Sequence, residues 1–334
     1  MSTAAPSMYS TAAKQVAERL GLKMGRANLE EFADTLLTLA RADRNIVAVT
    51  SDSRGSGKLG PFGQALPQQI VELGIAEQNL VGVAAGLASA GKKAFAVSPA
   101  CFLTARALEQ IKNDVCYSDH PVVIVGISAG VSYGALGTTH HSLHDFAALR
   151  AINNVHVVAP ADNLETREAV RAAAEHQTPV YLRFGKAPLY TLPDSDIPFA
   201  FDRARQLRDG TDAAFIATGE TVIHALLAAA HLAETAGLQA RVISVPSIKP
   251  LDEAAVLAVA RECRAVVTAE EHMVHGGLGE AVGTLIARNG IATRFHVAGI
   301  PDEYTVTGSQ ADIFRHYGLS MEGLADSVLR LLSA

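Results

Sequence analysis

The sequence has no tryptophan, and Phe and Tyr together make up only 5% of it. A core without large rings must be built from Ala, Val, Leu and Ile, which suits the near-continuous aliphatic strands of a parallel α/β sheet. Cysteine is equally scarce. Cys101, Cys116 and Cys263 are odd in number and lack metal-ligand spacing, so buried thiols in a reducing compartment are expected rather than a disulfide framework. No apolar run reaches membrane-spanning length, and the opening MSTAAPSMYSTAAKQ has no charged segment followed by an apolar one. Long Lys/Arg runs are missing too. With a net charge of −6, the chain carries no electrostatic footprint for nucleic acid or an anionic membrane, and it reads as cytoplasmic.

What is present is 334 residues, 49% of them apolar, without a low-complexity tract. That length favours two domains. Residues 1–25 read as a peripheral arm with a short amphipathic helix. From Asn28 onward strand and helix alternate up to a Pro-rich connection, APLYTLPDSDIPF, which divides a domain at 26–190 from one at 191–334. The second half repeats the alternation. The expected fold class is therefore α/β: two consecutive domains, each a mainly parallel sheet flanked by helices.

Chemistry concentrates in four stretches of the first half. In residues 71–90, Val71, Leu73 and Ile75 alternate as in a strand, whereas Leu80, Val83, Ala84 and Leu87 recur at helical spacing. Glu77 thus falls at a strand-to-helix junction among apolar neighbours, where it must pair with a donor or take up a proton. Residues 55–60 match G-x-G-x-x-G after a strand, but Pro61, Phe62 and Gly63 interrupt the helix that a dinucleotide fold needs. A glycine-rich loop approaching a small polar ligand fits better. After the strand PVVIVGIS comes AGVSYGALGTTHHSLHD, placed where open α/β sheets bind ligands; its adjacent His140 and His141 are candidates for proton transfer. Arg183 and Lys186 end the strand VYLRFGK, either as solvated charges or as a clamp for an anionic substrate. Glu271, His272 and His275 match no metal-ligand spacing.

Taken together, LGIAEQNLVGVAAGLA, PACFLTARALEQIKNDV, ALGTTHHSLHD, VYLRFGK, IKPLD and TAEEHMVHGGLGEAV resemble the C-terminal section of a transketolase. The likeness is greater to the subunit of a split transketolase that carries the pyrimidine-binding and C-terminal domains, and it covers nearly everything from about residue 26. It implies that Glu77 hydrogen-bonds N1′ of the aminopyrimidine of thiamine diphosphate. A carboxyl group there favours the tautomer whose 4′ nitrogen removes the proton from thiazolium C2. It also implies that Phe102 packs on the aminopyrimidine, that His140 faces substrate hydroxyls, and that Ser56 and Arg183 hold a substrate phosphate.

Departures from the family pattern accompany the likeness. Leu136 stands where an acidic residue commonly contacts a sugar hydroxyl, Ser128 where a phosphate-site histidine is found, and Ala105 and Leu108 replace aromatics of the pyrimidine pocket. His141 has no assigned role. The chain contains no Gly-Asp dipeptide, hence no GDG-type loop for Mg²⁺ and the cofactor diphosphate. The resemblance therefore implies a separate diphosphate-binding subunit, a heterotetramer of two of each, and transfer of a two-carbon ketol unit from a ketose, as a phosphate, to an aldose. The alternatives are the β subunit of a 2-oxo acid dehydrogenase and a noncatalytic partner subunit.

Overall fold

The computed structural model describes residues 7–193 and 198–333. Its strands are β1 (Met24–Ala27), β2 (Ile46–Thr50), β3 (Ile70–Glu72), β4 (Lys93–Pro99), β5 (Val123–Ile127), β6 (His156–Val158), β7 (Val180–Phe184) and β8 (Pro188–Tyr190) in the first half. The second half adds β9 (Arg205–Arg208), β10 (Ala213–Ala217), β11 (Ala240–Ser244), β12 (Ser247–Lys249), β13 (Ala265–Met273) and β14 (Arg294–Ile300). They build a seven-stranded sheet in the order β12-β6-β7-β5-β4-β2-β3 and a five-stranded sheet in the order β14-β13-β10-β11-β9. Within these two sheets all pairings are parallel except those of the edge strands β12 and β9. The expected α/β architecture of two mainly parallel sheets is what forms.

In the first sheet β2, β5 and β7 are buried at every position, as strands covered on both faces must be. Helices Asn28–Ala42 and Asn163–Glu175 pack on one face around Phe32, Phe184 and Leu182; helix Glu77–Ser89 and its neighbours pack on the other around Leu80, Ile111 and Phe146. The chain passes from β2 outward to β3 and then back to β4 on the opposite side of β2. This reversal opens a crevice beyond the carboxyl ends of the strands.

Two expectations need correction. Helix Thr11–Arg19 is no peripheral arm: Tyr9, Ala13, Val16 and Ala17 are buried in the core of the second sheet's domain, and Arg19 pairs with Glu234. Its apolar stripe covers helix Thr221–Ala236, which is apolar nearly all round and therefore needs covering on every side. The segment ARVISVPSIK forms two strands. β11 stays in the second sheet, whereas β12 crosses to the first and pairs antiparallel with β6, so the two halves interlock beyond the 190/191 division. Residues 194–197 of the Pro-rich connection lie outside the described residues. Finally, Ile75 is not in a strand. β3 ends at Glu72, and Ile75 stands 75% exposed on the turn before Glu77.

Candidate active site

The segments that follow the carboxyl ends of β2, β3, β4, β5 and β7 carry Ser56, Glu77, Phe102, His140 and Lys186 respectively, so one edge of the sheet gathers nearly every candidate residue. Glu77 opens helix Glu77–Ser89, whose N-cap Ala76 supplies no side-chain cap, and a first-turn carboxylate complements the helix dipole there. Its side chain is only 4% exposed. Oε1 accepts a hydrogen bond from Arg106 Nη1 at 2.9 Å, whereas Oε2 has no hydrogen bond among the described residues. Both residues, with Ile75, Gln78 and Asn79, line an open cavity of about 630 Å³.

From Glu77 the contacts continue in an unbroken line. The Arg106 guanidinium lies over the Phe102 ring, 4.5 Å from its centroid, as i,i+4 neighbours on one helical turn can. Phe102 meets the His140 ring edge-on at 5.3 Å, and His140 in turn meets Tyr133 edge-on at 5.5 Å. Thr139 Oγ1 lies 2.9 Å from His140 Nδ1. Beyond Tyr133 comes Lys186, its Nζ 4.6 Å from the ring centroid. The arrangement offers a buried carboxylate and an aromatic face at one end and an imidazole with a cation at the other, which suits a flat heterocycle followed by a polar, anionic chain.

Arg183 is not part of this line. Its guanidinium is 5% exposed, pairs with Asp145 through Nε at 2.8 Å, and donates from Nη2 to the Ser142 and Glu271 carbonyls. Asp145 accepts a further bond from Tyr181. Burial raises the Asp145 carboxyl, but the Arg183 charge, then His272 and Tyr181, hold it below the usual carboxylate range. An arginine so occupied cannot clamp a phosphate, and the expectation placed on Arg183 is corrected: of the two cations at the end of VYLRFGK, Lys186 is the exposed one. Desolvation of its ammonium, followed by repulsion from Lys58, lowers the Lys186 pKa, so the glycine-rich loop brings a second cation towards it. Ser56 is exposed on that loop, two residues from Lys58, and Gly57 lies against the ends of β4 and β5 near Val97 and Ile127. Ser128 is fully buried, while Leu136 is 55% exposed on the His140 loop.

Sequence reading missed Arg106 and Tyr133. The i,i+4 spacing of Phe102 and Arg106 was the available signal for the first. Nothing local marked Tyr133.

Behind the site lies a buried acid cluster. Gln310 Nε2 bridges Glu220 Oε2 at 3.1 Å and Glu271 Oε1 at 2.8 Å. Burial, then repulsion from Glu271, pushes Glu220 up to about 8, and burial pushes Glu270 up to about 7. Groups whose folded pKa is raised contribute stability that is lost as pH rises through that value. His224 and His272, held down to about 4 by burial, act oppositely, and their contribution is lost as pH falls towards 4. Thermal unfolding should therefore give a Tm a few degrees lower at pH 8.5 than at pH 6.5, and Glu220→Gln should shrink that difference. Among the described residues no group of three or more His, Cys, Asp or Glu could hold a metal ion. No described helix is long and apolar enough to cross a membrane.

This fold is that of the paired α/β domains of thiamine-dependent transketolases. The transketolase pyrimidine-binding domain matches residues 26–191 and the transketolase C-terminal domain residues 202–324, and the chain belongs to the transketolase family as its C-terminal section. It is 48% identical over 304 residues to an apulose-4-phosphate transketolase subunit of Phocaeicola vulgatus, covering 91% of this chain and 96% of that one. It is 36% identical to a putative transketolase C-terminal section of Methanocaldococcus jannaschii, covering 89% and 94%. Among solved structures it superposes with a TM-score of 0.82 on a split gene transketolase described as an inactive beta4 tetramer, at 36% identity, covering 92% of this chain and 99% of that one.

Thiamine diphosphate is the cofactor of this family. The residues present fit its aminopyrimidine: a buried carboxylate with one oxygen that takes no hydrogen bond among the described residues, at the wall of an open cavity and one contact from an aromatic face.

Proposed function

We propose that the chain is the pyrimidine-binding subunit of a thiamine-diphosphate-dependent transketolase, acting with a separate diphosphate-binding subunit in a cytoplasmic heterotetramer. The reaction is transfer of a two-carbon ketol unit from a phosphorylated ketose to an aldose. One observation carries this reading: the continuous line Glu77–Arg106–Phe102–His140–Tyr133–Lys186 along the carboxyl edge of one sheet. The partner would hold Mg²⁺ and the diphosphate, for which this chain has no GDG-type loop.

When bound, the cofactor would supply a thiazolium carbon acidic enough to lose its proton and serve as the nucleophile for the donor carbonyl. Glu77 would hold the N1′ side of its aminopyrimidine and Phe102 its face, while the Arg106 guanidinium keeps the carboxylate and the ring in register. His140, fixed between two ring edges and bonded to Thr139, would face the donor's hydroxyls and exchange a proton with them. Lys186 and Lys58, with the backbone and Ser56 hydroxyl of the glycine-rich loop, would take the phosphate, the role first expected of Arg183. Leu136 offers no hydrogen bond to a sugar hydroxyl, so the donor's stereochemistry is read elsewhere. The Phocaeicola relative is named for apulose 4-phosphate, which makes that sugar the first donor to test.

The test is a coupled ketol-transfer assay on the reconstituted two-subunit complex with cofactor and Mg²⁺, across a panel of sugars with and without phosphate. Transfer by the complex and none by either subunit alone is the expected result; no transfer to or from any sugar would favour a noncatalytic role. In the same assay Lys186→Met should raise KM for phosphorylated donors about tenfold or more, the loss of one charge-assisted contact of about 1.5–3 kcal/mol, and leave nonphosphorylated ones nearly unchanged.

A further inference from the structure

Placing His140 at the substrate leaves its neighbour His141 without a task, and leaves the second domain without one as well. His141 is 4% exposed. Its Nε2 lies 2.9 Å from the Gly134 carbonyl oxygen and its Nδ1 2.7 Å from the Thr305 hydroxyl. Thr305 belongs to the second half of the chain, beyond β14, and meets the His140 loop again through Thr138: its N–H donates to Thr138 Oγ1 at 3.0 Å, and the two hydroxyls are 3.0 Å apart.

The polarity of this chain of bonds is determined at both ends. A carbonyl can only accept, so Nε2 of His141 carries a proton; burial of the imidazole, only partly offset by that carbonyl, lowers its pKa and keeps the other nitrogen bare. Nδ1 therefore accepts from the Thr305 hydroxyl. Thr305 Oγ1 then accepts from the Thr138 hydroxyl, which accepts from the Thr305 amide, an N–H that can only donate. Four bonds run in one direction and leave no polar atom of the two threonine side chains or the imidazole ring unused. The loop backbone also lies hard against this part of the second domain: a Cβ at Gly134 would come within 2.5 Å of the Gly308 carbonyl, and one at Gly137 within 3.1 Å of Thr307. At the loop's start, Glu271 Oε1 accepts the Val131 N–H at 2.9 Å.

We propose that Thr305 and His141 are positioning residues, through which the second domain holds the loop carrying Tyr133 and His140 and so sets the geometry at the substrate end of the site. The proposal rests on the reading of His140 as a substrate-facing residue. It leaves His141 chemically silent. The position needs a donor at Nε2 and an acceptor at Nδ1, a pair that a glutamine carboxamide also supplies.

Two measurements test it. On the full chain alone, Thr305→Val keeps shape and backbone but removes the hydroxyl, and amide hydrogen exchange across residues 132–142 should accelerate while the strands of both sheets are unchanged. In the reconstituted complex, Thr305→Val and His141→Leu should lower kcat on the order of tenfold or more with assembly and KM for cofactor unchanged, whereas His141→Gln should retain most of it. Unchanged exchange in Thr305→Val overturns the proposal whatever the activity. Faster exchange with wild-type kcat and KM overturns the positioning role. If the wild-type complex transfers no ketol unit, the functional reading fails instead, and the exchange measurement alone still decides whether the second domain anchors the loop.

Discussion

Glu77→Gln should leave the chain folded and able to assemble with its partner, and should depress ketol transfer by about 100-fold or more. The reasoning is chemical rather than steric. Glutamine keeps the size of the side chain and can still accept from Arg106 Nη1 on its carbonyl oxygen, so the hydrogen bond at 2.9 Å survives. What disappears is an acid able to exchange a proton with a ring nitrogen. Single-turnover measurement of cofactor deprotonation separates this from a binding defect. Wild-type turnover in the variant would remove Glu77 from the mechanism, and with it the assignment of the cavity at the start of helix Glu77–Ser89.

The largest effect on stability should come from Arg183→Met, at about 3–5 kcal/mol. The substituted side chain fills much of the same volume, but Asp145 is then left buried with the Tyr181 hydrogen bond and the nearby His272 ring but no guanidinium, and the Ser142 and Glu271 carbonyls lose their shared donor. Arg183 also lies over the Phe146 ring at 4.5 Å, and that cation–π attraction vanishes with the charge. Urea unfolding of the isolated chain measures the change. Activity should fall alike on phosphorylated and nonphosphorylated sugars, because the damage is to the floor beneath the site. Selective loss on phosphorylated sugars with unchanged stability would restore Arg183 as a substrate clamp.

Arg183 and Lys186 also show where reading a sequence stops. Both are cations at the end of one strand, and their spacing says nothing of which is covered. The partners that bury Arg183 are Asp145, 38 residues away, and the Glu271 carbonyl, 88 residues away in the other half of the chain. Thr305 is 164 residues from His141, and neither residue hints at the other in isolation. The helix at the amino terminus is a third case. Its amphipathic spacing was plain, but its docking place on helix Thr221–Ala236 is a contact with residues about 200 positions away in the chain.

By itself the sequence determined the alternation of strand and helix and the two-sheet architecture, because both rest on local periodicity, and its resemblance to a transketolase section singled out Glu77, Phe102 and His140 as candidates. Only the tertiary structure decided which charges are spent inside the protein and which face the crevice. It also decided that β12 crosses to the first sheet, and that the second domain reaches the loop beside His140. The physical reason is that burial and hydrogen-bond partnership are properties of pairs. For residues scores of positions apart, the pair exists only after the chain has closed on itself.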